Sequence, residues 1–267
     1  MALKRAGRSV FGWNRSKKPS EYALNNGIID GVANNFLNFD AVFVALPPEA
    51  IIEFIDSNKF KDGAVVADIC GVKKYIENEV YSRKRNFRYV GCHPMAGKEV
   101  SGIENACADL FDKASMVITS DSRTDKDALE IIVSLTKEMG FKYMVGCTAE
   151  THDRKIAYTS QLAHIVSNAY VKDDEINGCI GFTGGSFQDM TRIAGVDENV
   201  WASLYLNNAV NLSEKISGLI SALGEIQSAI DCNEREKLLI LLREGRLRFD
   251  SGKNLAPQTD IFVKKLK

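Results

Sequence analysis

The chain has 267 residues, 45% hydrophobic and 26% charged, a globular composition that suits one large domain or two ordinary ones. A formal net charge of -1 gives no electrostatic case for nucleic acid or an anionic membrane, and no apolar run approaches the roughly 20 residues that cross a bilayer. The opening MALKRAGRSV lacks the apolar segment of a secretory signal, and six scattered cysteines without C-x-x-C read as reduced, buried thiols. A cytoplasmic protein with neither a disulfide frame nor a metal site is therefore expected.

Met1–Ala6 reads as the back half of a helix stopped at Gly7. Strands are expected at Ser9–Trp13, Ala41–Leu46, Ala64–Ile69, Tyr89–Cys92, Ser115–Thr119 and Lys142–Val145, most of them apolar throughout. Helical spacing falls between them at Glu49–Ser57, Lys73–Lys84 and Lys126–Met139. Apolar strands alternating with amphipathic helices predict a doubly wound parallel sheet covered on both faces.

From about Thr148 the strand signal stops. Helices are expected at Thr151–Val171, Ser186–Ala194, Val200–Ile230 and Glu234–Arg246, and the polar tail from Ser251 suggests no element. The fold class is thus an α/β Rossmann-like parallel sheet domain over 1–148, followed by an all-α helical domain over 149–267. Long helices with apolar faces and no strands to cover them point to a bundle shared by two subunits, a homodimer.

A dinucleotide-binding sheet opens with a strand, a G-x-G-x-x-G turn and a helix start that binds the pyrophosphate. No such motif occurs in this sequence. Because the first strand is central in that order, its loss would leave two neighbours without ladder partners. The expectation is a fragment or a misplaced start; the alternative is a native chain that has lost cofactor binding.

The strand ends carry the candidate site residues. Asn14, Arg15 and Ser16 follow the strand at which such domains select the cofactor; a neutral residue beside an arginine tolerates the 2′-phosphate of NADP, although a solvated turn would look the same. Leu46 and Pro47 end the next strand, where the cofactor would pass, and Cys70 and Gly71 end the one after, the glycine permitting close backbone approach. NAD or NADP is the expected cofactor. In YVGCHPMAGKEVSG a strand runs into His93, and Pro94 then breaks regular structure. An imidazole at that place points into the ligand crevice and suits proton transfer near neutrality, the plain alternative being a surface loop histidine.

The order ALP, D-x-C-G-V-K, G-x-H-P-M-A-G-x-E-x-S-G, S-x-L-x-H and G-G-S-F-Q-D-M-T-R-I-A, spread over roughly residues 1–245, resembles the prephenate dehydrogenase family. The resemblance implies oxidative decarboxylation of prephenate to 4-hydroxyphenylpyruvate in tyrosine biosynthesis, with hydride passing to NAD or NADP. Arogenate, the aminated analogue, is the alternative substrate, and a dimeric module without catalysis the alternative role. By the same resemblance His93 is the catalytic base, Arg192 binds a substrate carboxylate, His164 lies on the substrate side, and Lys98 and Glu99 gate or bind the substrate. Read without it, Arg192 is a helix-surface arginine beside Asp189, and His164 a core histidine. Two positions depart from many relatives: Gly71 stands where they have a substrate-holding serine, and Gln161 where some have a second histidine.

Overall fold

The computed structural model describes residues 1–97, 102–252 and 261–266. Two compact units share the chain. The first is built from Met1–Asp153, Asp197–Asn207 and the chain end after 260; the second from Arg154–Val196 and the stretch that begins at Asn208.

In the first unit, helix α1 (Ala2–Arg5) ends at Gly7, whose φ of 82° is the left-handed conformation expected of a stop glycine. Strand β1 (Phe11–Gly12) pairs in parallel with β2 (Gly31–Val32), and the two form a separate sheet. The main sheet has the order β3 (Ala41–Val44), β4 (Val65–Asp68), β5 (Arg88–Pro94), β6 (Ser115–Thr119), β7 (Tyr143–Cys147) and β8 (Phe262–Lys265). Among the described residues no strand joins β1 to β3.

All four residues of β4 are buried, because their alternate side chains feed two cores. Val66 packs with Ile51, Ile55 and Phe60 on one face, covered by α3 (Pro48–Ser57) and α4 (Lys74–Tyr81). Val65 and Ala67 pack with Val90, Met116 and Ile118 on the other, covered by Ala2 of α1 and by Ala128 and Ile132 of α5 (Lys126–Glu138). Asp125 caps α5 by accepting from Ala128 N at 2.8 Å, a bond type worth about 1 kcal/mol.

Four features depart from the expectation. β6 runs antiparallel to β5. A parallel pair needs a long crossover, whereas the described chain between them has only a 3₁₀ turn at Ile103–Asn105. The tail is not structureless: β8 pairs antiparallel with β7, Val145 opposite Val263. Helix α2 (Lys17–Asn25) and strand β2 went unpredicted. The helix expected over Val200–Ile230 is two, α9 (Glu198–Leu206) and α10 (Ala209–Asp231). Asn207 turns its amide back to Ser203 O, and Asn208 adopts a non-helical φ of -128°, so paired asparagines end one helix and begin the next.

The second unit is helical. From α6 (Ala149–Ile156) the chain passes through a π-helical turn at Ala157–Gln161 into α7 (Leu162–Tyr170), the span expected as one helix. Then come α8 (Gly185–Thr191), α10 and α11 (Arg235–Gly252). Val210, Ile220, Leu223, Ile230, Ile240, Leu242 and Phe249 of α10 and α11 are exposed in the single chain. Of the cysteines, Cys70, Cys92 and Cys147 are buried as expected, but Cys232 is exposed.

Candidate active site

His93 lies inside β5, paired with Val117 of β6, and not past the strand end as its sequence context implied. The strand fixes its backbone, and α6 brings up a second imidazole. His93 Nδ1 stands 2.9 Å from His152 Nε2, and His152 Nδ1 stands 2.7 Å from Asp153 Oδ1. Asp153 in turn accepts the backbone N–H of Lys73 at 2.8 Å and of Lys74 at 2.9 Å. Those two amides open α4, so its positive end steadies the carboxylate.

Beneath this row lies a second buried network. Lys73 is fully buried and forms an ion pair with Asp68. Asp68 also accepts from the Tyr89 hydroxyl and, at 2.8 Å, from Cys70 N. A charge this deep persists only with its partner, so the D-I-C-G-V-K segment is held by its own ends.

Burial sets the protonation states. It pushes His93 down to about 2, with His152 and the Lys73 cation pushing the same way. His152 is also lowered by burial, against the pull of Asp153. Both imidazoles are therefore neutral near pH 7, each with one lone pair. Burial raises the Cys70 thiol and, together with the Asp68 charge, the Tyr89 hydroxyl, so neither is a ready nucleophile.

Gly71 sits beside the histidine: a Cβ there would stand 3.8 Å from His93 Cε1 and 3.4 Å from Leu204 Cδ2. Leu204 belongs to α9, which Glu49 ties to the sheet unit by accepting from Ser203 Oγ and Asn207 Nδ2, each at 2.7 Å. Trp201 of the same helix is half-buried, its ring 5.5 Å from that of Tyr205.

The other expected cofactor residues stand at the carboxyl ends of parallel strands. Asn14, Arg15 and Ser16 are exposed after β1, where Asn14 Oδ1 accepts from Ser16 N at 3.2 Å. Leu46 is partly buried against the sheet core and exposed Pro47 precedes α3, while Cys70 and Gly71 follow β4. Open α/β sheets bind their ligands beyond such strand ends. The chain has no glycine-rich turn of the G-x-G-x-x-G kind for a pyrophosphate.

In the helical unit, His164 Nδ1 donates to the carbonyl of Ile193 at 3.0 Å, the residue after Arg192. Ser167 Oγ donates to Met190 O at 2.6 Å and Asn168 Nδ2 to Ala194 O at 3.2 Å. Three side chains of α7 thus clamp the end of α8 and hold the exposed Arg192 in place. Gln161 is buried and accepts from Asn208 Nδ2 at 2.7 Å. Lys98 and Glu99 lie outside the described residues.

Sequence patterning does not single out His152, Asp153, Asp68 or Tyr89. The one signal for the first pair is scarcity: the chain has three histidines, and His152 alone had no expected role.

Comparison with known proteins identifies the family. The model of the prephenate dehydrogenase nucleotide-binding domain matches residues 1–145, and that of the prephenate dehydrogenase dimerization domain matches 148–244. A prephenate dehydrogenase of Bacillus subtilis is 26% identical over 248 residues, 87% of this chain and 66% of the relative, so the chain spans about two thirds of that protein. A cyclohexadienyl dehydrogenase of Zymomonas mobilis is 26% identical over 233 residues, 84% of this chain and 78% of the relative. Among solved structures, prephenate dehydrogenase from Aquifex aeolicus, in complex with hydroxyphenyl propionate and NAD+, superposes with a TM-score of 0.80 at 25% identity over 94% of this chain and 92% of that one. With both family models matched in order along most of its length, the chain belongs to the prephenate dehydrogenase family.

Proposed function

We propose that the protein oxidatively decarboxylates prephenate to 4-hydroxyphenylpyruvate, with His93 as the base. The observation that carries this reading is a neutral, largely buried imidazole at the second-last residue of β5, with Nδ1 engaged by His152 and Gly71 beside its ring.

His93 Nε2 takes the proton of the ring hydroxyl. A nicotinamide bound along the strand edge supplies the acceptor for the hydride that the hydroxyl-bearing carbon loses. Carbon dioxide leaves from the opposite carbon, the ring becomes aromatic, and His93 returns its proton to the phenolate oxygen. Aromatisation supplies the drive, so the side chains need only orient the substrate, hold it dry and move one proton. Asn14 and Arg15, a neutral residue beside a cation, favour tolerance of NADP as well as NAD.

Arg192 holds a substrate carboxylate as a two-pronged donor, and His164 steadies the turn that carries it. Arg192→Leu is expected to raise KM for prephenate about 100-fold, the scale of a lost charge-assisted bond pair, with kcat changed far less. An unchanged KM would move the carboxylate site elsewhere.

The exposed apolar residues of α10 and α11 favour a homodimer, in keeping with the dimerization description of the matching model. Sedimentation equilibrium is expected to give twice the chain mass at micromolar concentration; a monomer there would leave those faces without a role.

The test of the reaction is to mix the chain with prephenate or arogenate, and with NAD+ or NADP+, while following reduced nicotinamide. Faster turnover of prephenate supports the reading; preference for arogenate corrects the substrate. Calorimetry gives an independent check: a folded chain that binds neither dinucleotide would contradict the reading.

A further inference from the structure

The row His93–His152–Asp153 has a direction that the chemistry of its ends determines. A carboxylate only accepts, so the proton between His152 and Asp153 belongs to His152 Nδ1. In the neutral ring, His152 Nε2 then carries a lone pair, and the 2.9 Å contact is a hydrogen bond only if His93 Nδ1 carries the proton. That leaves the lone pair of His93 on Nε2. Asp153 cannot reorient freely, since both of its oxygens are held by the opening amides of α4.

We propose that His152 and Asp153 are positioning residues that lock His93 in the Nδ1–H tautomer, present Nε2 as the proton acceptor and share the proton once it arrives. The proposal rests on the reading of His93 as the base. As the hydroxyl proton enters at His93 Nε2, the proton on Nδ1 passes to His152 Nε2. The charge then lies on His152 against the Asp153 carboxylate, and the same path in reverse returns a proton to the phenolate oxygen. Burial beside Lys73 makes His93 a poor place to leave a positive charge, and the pair behind it is the nearest group able to take it. Nothing in the row is spare: the middle ring is 2% exposed and Asp153 1%, so water does not substitute for either.

The first test needs no variant. Nitrogen-15 NMR of the histidine-labelled chain has three imidazoles to assign, and all three are expected as Nδ1–H tautomers, His164 because it donates to Ile193 O. An Nε2–H tautomer at His93 overturns the proposal, whether or not the chain turns over prephenate. That separates its failure from failure of the proposed reaction.

The second test is kinetic. His152→Ala is expected to lower kcat about 10- to 100-fold, the usual scale for a residue that orients another, with KM for prephenate unchanged. His152→Gln, whose side-chain oxygen can still accept from His93 Nδ1 but cannot take its proton, is expected to recover only part of the rate. A packing role alone would raise KM, lower thermal stability along with the rate and give no rescue by glutamine. Wild-type turnover in His152→Ala overturns the proposal.

Discussion

His93→Asn is expected to lower kcat by about 10²–10⁴ while leaving the fold and the KM for prephenate close to native, because removal of a general base commonly costs that much. Asparagine suits the test for a local reason. Its amide can donate to His152 Nε2 much as the imidazole Nδ1–H does, so the buried row keeps its hydrogen bond. What the variant lacks is the acceptor on the substrate side. Steady-state kinetics beside circular dichroism checks both halves of the expectation. A native rate in a folded variant would take His93 out of the mechanism.

The second large effect is on stability. Asp68→Ala leaves the Lys73 ammonium, fully buried, without its counter-ion, and also orphans the Tyr89 hydroxyl and Cys70 N. Breaking one side of a buried pair costs about 3–5 kcal/mol, a large share of the roughly 5–15 kcal/mol that holds a domain folded. Replacing both partners with apolar residues of similar size, Asp68→Leu with Lys73→Met, is expected to recover the part of that loss owed to the lone charge, while the Tyr89 hydroxyl and Cys70 N stay unpaired. Urea unfolding of the two variants measures the difference. A single variant within about 1 kcal/mol of the native chain would show that Lys73 finds water or another partner, contrary to its complete burial.

The strands that position the site were legible because their apolar runs are long and unbroken: VVAD and YVGC each read as buried strand, and the chain after each turns at glycine or proline. His93 was legible as a residue at the margin of such a strand, although the strand runs one residue beyond it. The reversal of β6 was not, since an apolar run carries no direction. Only the lack of helical spacing in the sequence before it could have told. Lys73 was read only as a helix start; a local pattern cannot show that it is buried against Asp68, five residues earlier. His152 and Asp153 were hidden by their helix, whose polar residues look like an ordinary solvated face until α4 is laid against them. The break at Asn207–Asn208 escaped notice because the apolar spacing continues on both sides of it.

The claim on which the rest depends is that one imidazole takes the hydroxyl proton as the ring is oxidised. A single-turnover experiment, with chain and dinucleotide in excess over prephenate and both reduced nicotinamide and carbon dioxide followed, tests it most directly. The native chain is predicted to form the two together, mole for mole, and His93→Asn to bind prephenate yet form neither on the same time scale. Reduced nicotinamide appearing at the native rate in that variant, or carbon dioxide without it in the native chain, would contradict the account.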